Sequence, residues 1–100
     1  PLVLEFSKDE ARSRLARLAE IIGVESGSDT EKAQRFIAAV RELMADLDIP
    51  EQLDALKEED VTSLAERARA EAYLDYPVPR YMDQEQAEVL LRRMLITDAA

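Results

Sequence analysis

Hydrophobic and polar positions follow a helical rhythm along most of the chain, most clearly from Ala33 to Pro50. Ala33, Phe36, Ile37, Val40, Leu43, Met44 and Leu47 recur at steps of three and four, which gathers them on one side of a 3.6-residue helix. Arg35, Arg41, Glu42 and Asp46 take the other side. The polar side suits water, whereas the apolar stripe requires partners, so the whole stripe is expected to be core. Pro50 restricts Ile49 to extended geometry, and the helix should stop near Leu47.

The flanking segments repeat this logic. Ser7-Lys8-Asp9-Glu10 has the form of a capping box, with a serine hydroxyl and a glutamate to answer each other's amides. The predicted helix after it turns Ala11, Leu15, Leu18 and Ile22 inward and Arg12, Arg14, Arg17 and Glu20 mostly outward, and Gly23 is its natural stop. Ser28-Asp29-Thr30-Glu31 is a second box, ahead of the central helix. Residues 51–56 predict a single helical turn or short helix with Leu53 and Leu56 inward. Lys57-Glu58-Glu59-Asp60 brings acids to the positive end of the next helix, whose buried side is marked by Val61, Leu64, Ala65, Ala68 and Ala72.

Tyr73 to Met82 breaks the rhythm. Pro77 and Pro79 hold the chain extended, and Tyr76, Val78, Tyr81 and Met82 give this loop more apolar surface than a solvated linker needs. Asp83-Gln84-Glu85-Gln86 then caps a last helix with Ala87, Leu90, Leu91, Met94 and Leu95 inward and Arg92 and Arg93 at its negative end. No segment carries a convincing strand pattern. The expected fold is all-α, a bundle of about four principal helices with a short connecting helix and a proline-containing loop.

Composition removes several classes of function. The absence of cysteine rules out disulfides and thiolate metal sites. The absence of histidine removes the commonest proton carrier near neutral pH and the commonest metal ligand. A formal charge of −9 repels phosphate backbones, which argues against nucleic acid as a partner. No apolar run approaches the roughly 20 residues that span a bilayer, and no secretory signal is visible, so no membrane partner and a cytoplasmic location are expected. The acids at Glu58, Glu59 and Asp60, and at Asp46, Asp48 and Glu51, lack the glycine and later glutamate of a calcium loop and read as solvated helix ends. Arg80 could pair with a carboxylate or a cofactor phosphate, and a structural ion pair is the expected use. Leu2, Val3, Leu4 and Phe6 form an apolar start without lead-in, either an extended tail or, as expected here, the cut end of a helix that begins upstream.

These residues in this order resemble a known family. The sequence runs from a Leu4-Glu5-Phe6-Ser7 boundary through Leu18-Ala19-Glu20-Ile21-Ile22-Gly23 to Val40-Arg41-Glu42-Leu43-Met44-Ala45-Asp46-Leu47-Asp48-Ile49-Pro50. A Leu53-x-x-Leu56 turn, an alanine-rich helix with an acidic cap and Pro77-Val78-Pro79-Arg80 follow. From Pro1 to about Leu95 this resembles the C-terminal end of the iron-dependent (group III) alcohol dehydrogenases, most specifically at Val40–Pro50 and Tyr76–Met82.

The resemblance implies that residues 1–100 are the C-terminal helical domain, and a fragment, of a two-domain enzyme. Its partner would be the missing N-terminal cofactor-binding domain of the same polypeptide, which binds NAD or NADP. The parent would also use a divalent metal, usually iron and sometimes zinc. It would interconvert an alcohol with its aldehyde or ketone, the metal polarising the oxygen and the nicotinamide carrying hydride. In relatives the metal ligands are an aspartate and histidines; no histidine is present here, so no catalytic, cofactor-binding or metal residue carries over. Tyr73 and Leu74 are the candidates to line the substrate cleft, because in some relatives the residues just before the late loop approach it. Asp48 stands where the family commonly has glycine, which suggests a different helix termination, and Val78-Pro79-Arg80 stands where relatives often have Asn-Pro-Arg.

A rival of another class is a free-standing acidic helical interaction module, which needs neither histidine nor cysteine. The module would bury Leu2, Val3, Leu4 and Phe6 in its own fold. A severed piece would leave some of them exposed or paired with a second copy as a homo-oligomer.

Overall fold

Helical periodicity governs what forms. In order come α1 (Leu2–Phe6), α2 (Arg12–Ile21), α3 (Asp29–Asp46), a 3₁₀ turn (Glu58–Asp60), α4 (Val61–Asp75) and α5 (Gln84–Arg93). Among the described residues the chain is all-α as expected, with four longer helices, and the only β-type pairing is an isolated bridge between Leu53 and Leu95. This is a computed structural model, and it describes residues 1–75 and 77–96, with the side chains of residues 73–75 outside the description. The chain divides into two units, Pro1–Pro50 and Glu51–Ala100.

The first unit is a hairpin of α2 and α3 with α1 laid on it. Leu15 of α2 meets Ala33 and Ile37 of α3, and Leu4, Ala11 and Phe36 pack around them. Polar clasps follow the same antiparallel register: Lys32 reaches Glu20 at 3.0 Å, and Arg41 reaches Glu5 of α1 at 2.9 Å. Residues 2–6 are helical, so the extended-tail alternative falls. A helix this short is not stable by itself; its hold comes from Leu4 in the core and Glu5 on Arg41.

Two inward faces differ from expectation. On α2 the buried residues are Leu15, Ala16 and Ala19, whereas Leu18 and Ile22 are exposed. The buried side of α2 is thus made of Leu15 and small alanines, which suit close packing against α3, and Leu18 and Ile22 fall outside it. On α3 the stripe is core only through its first half: Ala33 and Ile37 are sealed, Phe36, Val40 and Met44 are half-buried, and Leu43 and Leu47 are about three-fifths exposed (57% and 61%). Length explains this. At 1.5 Å per residue, α2 covers roughly 15 Å of a helix roughly 27 Å long.

Both long helices of this unit end alike. After α2, the Val24 amide donates to Ala19 (3.0 Å) and the Gly23 amide to Glu20 (3.1 Å), with Gly23 left-handed at φ 103°. After α3, the Ile49 amide donates to Met44 (2.8 Å) and the Asp48 amide to Ala45 (3.2 Å), with Asp48 at φ 56°. Each is the paired 6→1 and 5→2 closure that satisfies orphan carbonyls. Asp48 therefore does not change the termination; it adopts the glycine conformation itself.

The Ser7 box does not form. Ser7 is the C-terminal cap of α1, its amide already donates to Val3 at 3.0 Å, and α2 begins at Arg12 with no side-chain cap. An amide spent on a preceding helix is not available to a glutamate. Ser28 does cap α3, accepting from the Glu31 amide at 3.2 Å, but Glu31 meets the serine hydroxyl rather than its amide.

The second unit pairs α4 with α5. Val61 and Ala65 are fully buried on α4 and Ala87 is buried on α5. Leu64 and Ala68, expected inward, are exposed. Asp83 forms the complete box with Gln86: its carboxylate accepts the Gln86 amide at 2.7 Å, and the Gln86 side chain accepts the Asp83 amide at 3.0 Å. Residues 51–56 are not helical. The Leu53 amide donates to the Met94 carbonyl at 2.8 Å, one of the acceptors that the end of α5 leaves open, and Leu53 stays half-exposed.

Candidate functional site

Of the late loop, Tyr76 lies outside the described residues, and residues 77–82 lead into α5. Pro77, Pro79, Arg80 and Tyr81 are exposed, while Val78 and Met82 are half-buried. Its exit is anchored by Arg69 of α4, whose Nε donates to the Met82 carbonyl at 3.0 Å and whose Nη1 donates to Gln84 Oε1 at 3.2 Å. Gln84 in turn donates from Nε2 to the Thr62 carbonyl and to Glu88 Oε2, both at 3.1 Å. The amide orientation follows from chemistry: a guanidinium only donates, and a carbonyl or carboxylate only accepts.

Beyond Gln84 the chain of bonds continues. Glu88 Oε1 accepts from the Thr62 hydroxyl at 3.1 Å and from Arg92 at 3.2 Å, and Arg92 Nε donates to Glu58 at 2.8 Å. Hydrogen bonds from Gln84 first and Thr62 next, helped by the Arg92 charge and opposed by partial burial, hold the Glu88 carboxyl below the usual carboxylate range. The bond to Glu58 before all else, with the charge of Glu88 added, raises the Arg92 guanidinium further and keeps it charged. One polar track thus runs from the 3₁₀ turn to the loop exit.

Of the residues singled out from sequence, Tyr73 and Leu74 lie in the last turn of α4, and their side chains lie outside the described residues. Arg69, Gln84, Thr62 and Glu88 were not singled out for this role. Their signal was weak: Thr62 and Arg69 sit seven apart on α4, and Gln84 and Glu88 four apart on α5. Spacing of this kind shows a shared face but not what lies opposite it.

Among the described residues no group of three or more carboxylates is gathered to hold an ion, and imidazole and thiolate are absent from the sequence. No described helix is long and apolar enough to cross a membrane. Against known families, the model of the Fe-containing alcohol dehydrogenase family, C-terminal, matches residues 1–95. Comparison with curated proteins and with solved structures returned no match.

Proposed function

The chain belongs to the Fe-containing alcohol dehydrogenase family, as a C-terminal domain of it, and from that premise we propose that it is the helical back part of a metal-dependent NAD(P) alcohol dehydrogenase. The parent interconverts an alcohol with its aldehyde or ketone by hydride transfer, in the cytoplasm. The family match across residues 1–95 carries this reading. A chain without imidazole or thiolate supports a division of labour, in which an N-terminal domain of the same polypeptide supplies the dinucleotide fold and residues outside this chain ligate the metal.

The part left to these residues is enclosure. By the family likeness Tyr73 and Leu74 are the residues assigned to the wall of the substrate cleft, and an apolar wall there would orient a small alcohol and displace water from the reacting carbon. The test uses the full-length polypeptide, loaded with Fe²⁺ or Zn²⁺ and offered primary and secondary alcohols with NAD or NADP. Alcohol-dependent nucleotide reduction is expected. Its absence with both metals and both nucleotides overturns the proposal.

A further inference from the structure

We propose that Arg69 is a positioning residue: by fixing the exit of the 77–82 loop it sets substrate affinity without touching substrate. The inference rests on the proposed function for the word substrate, but the clamp itself rests on geometry alone.

Arg69 stands on α4 one turn ahead of Tyr73, and its Nε and Nη1 hold the last carbonyl of the loop and the first residue of α5 together. Only a planar fork offers two rigid donors to two such acceptors; a lysine ammonium is a single point charge. The acceptor on α5 is itself immobilised, because Gln84 spends its amide nitrogen on the Thr62 carbonyl and on Glu88. Glu88 is pinned by Thr62 and Arg92. The Gln84 amide is therefore held independently of Arg69, and through it Arg69 ties the Met82 carbonyl to an anchored residue.

These bonds are at or near the surface, where charged contacts add little to global stability. Their consequence is local. The loop leads into the cap of α5, and the Arg69 bond to the Met82 carbonyl ties its exit to α4. Releasing that carbonyl loosens the loop exit, while Asp83 and Gln86 still cap α5.

The experiment compares full-length wild type with Arg69→Ala, Arg69→Lys and Gln84→Met, using Arg67→Ala as a control on the same helix. Amide exchange is followed across residues 77–82, and alcohol kinetics are measured alongside. Arg69→Ala is expected to speed exchange in the loop about tenfold while α5 stays protected. It should raise KM for alcohol about three- to tenfold with kcat within about twofold. Arg69→Lys should recover less than half of the loss, and Gln84→Met should shift both readouts the same way without any change of charge; this variant also decides the matter if Arg69→Ala fails to fold. Unchanged loop exchange in these variants overturns the clamp, and faster exchange with unchanged KM overturns the positioning role. A wild type with no alcohol activity overturns the proposed function instead, and loop exchange then judges the clamp alone.

Discussion

The hydroxyl of Thr62 donates to the carboxylate of Glu88 at 3.1 Å, tying the first turn of α4 to the middle of α5. Because Gln84, Thr62 and Arg92 favour the charged carboxylate, Glu88 binds its proton less readily folded than unfolded. The unfolded state then takes up the proton first as pH falls, so the stabilisation is present above the ordinary glutamate value of about 4.3 and is lost as pH drops through the depressed folded value. Glu88→Gln should lower the melting temperature at about pH 6, and the gap from wild type should close towards about pH 3. A gap that is constant or widens in acid would show that the carboxylate carries no linkage.

This track was illegible in the sequence for a physical reason. Its bonds join Thr62 to Glu88, Arg69 to Gln84 and Arg92 to Glu58, partners 15 to 34 positions apart. Periodicity places residues on faces, but it does not say which polar residue stands opposite which. The cleft candidates Tyr73 and Leu74 came from family likeness rather than from pattern, and α4 runs through both of them, past the point where the broken rhythm predicted the loop to begin.

Capping signals gave mixed results, and the difference is measurable. Asp83 forms the whole box, Ser28 forms its own half, and Ser7 forms neither half because its amide serves α1. Asp83→Ala and Ser28→Ala should each cost about 1 kcal/mol in denaturant unfolding. Ser7→Ala should show no loss of cap energy. A motif of four residues reads the helix that follows; it is blind to a helix that has just ended.

Asp48 occupies the left-handed position that closes α3, at φ 56°. Aspartate tolerates this conformation better than most residues because its short polar side chain bonds locally, yet glycine meets no Cβ penalty there. Asp48→Gly should therefore stabilise the chain by about 0.5–1 kcal/mol, since the closing bonds from Asp48 and Ile49 are backbone bonds that glycine keeps. Destabilisation on this substitution would mean that the aspartate side chain contributes more than its backbone strain removes.

The α3 stripe separates periodicity from burial. Ile37 and Leu43 lie on the same apolar stripe and carry side chains of equal size, yet Ile37 is 2% exposed in contact with Leu15 and Ala33, and Leu43 is 57% exposed. Sequence spacing assigned both to the core because it reports which side of a helix a residue takes, not how far along the helix a partner extends. Here the partner α2 is ten residues against eighteen, and cover runs out before Leu43. Ile37→Ala should cost about 3 kcal/mol, combining lost transfer energy with an unfilled cavity, a large share of the roughly 5–15 kcal/mol that holds a small domain folded. Leu43→Ala should cost less than about 1 kcal/mol if the side chain stays in water, because alanine also favours the helix. Urea unfolding of the two variants distinguishes the cases: equal losses would mean that Leu43 is covered in solution by something beyond its own helix hairpin.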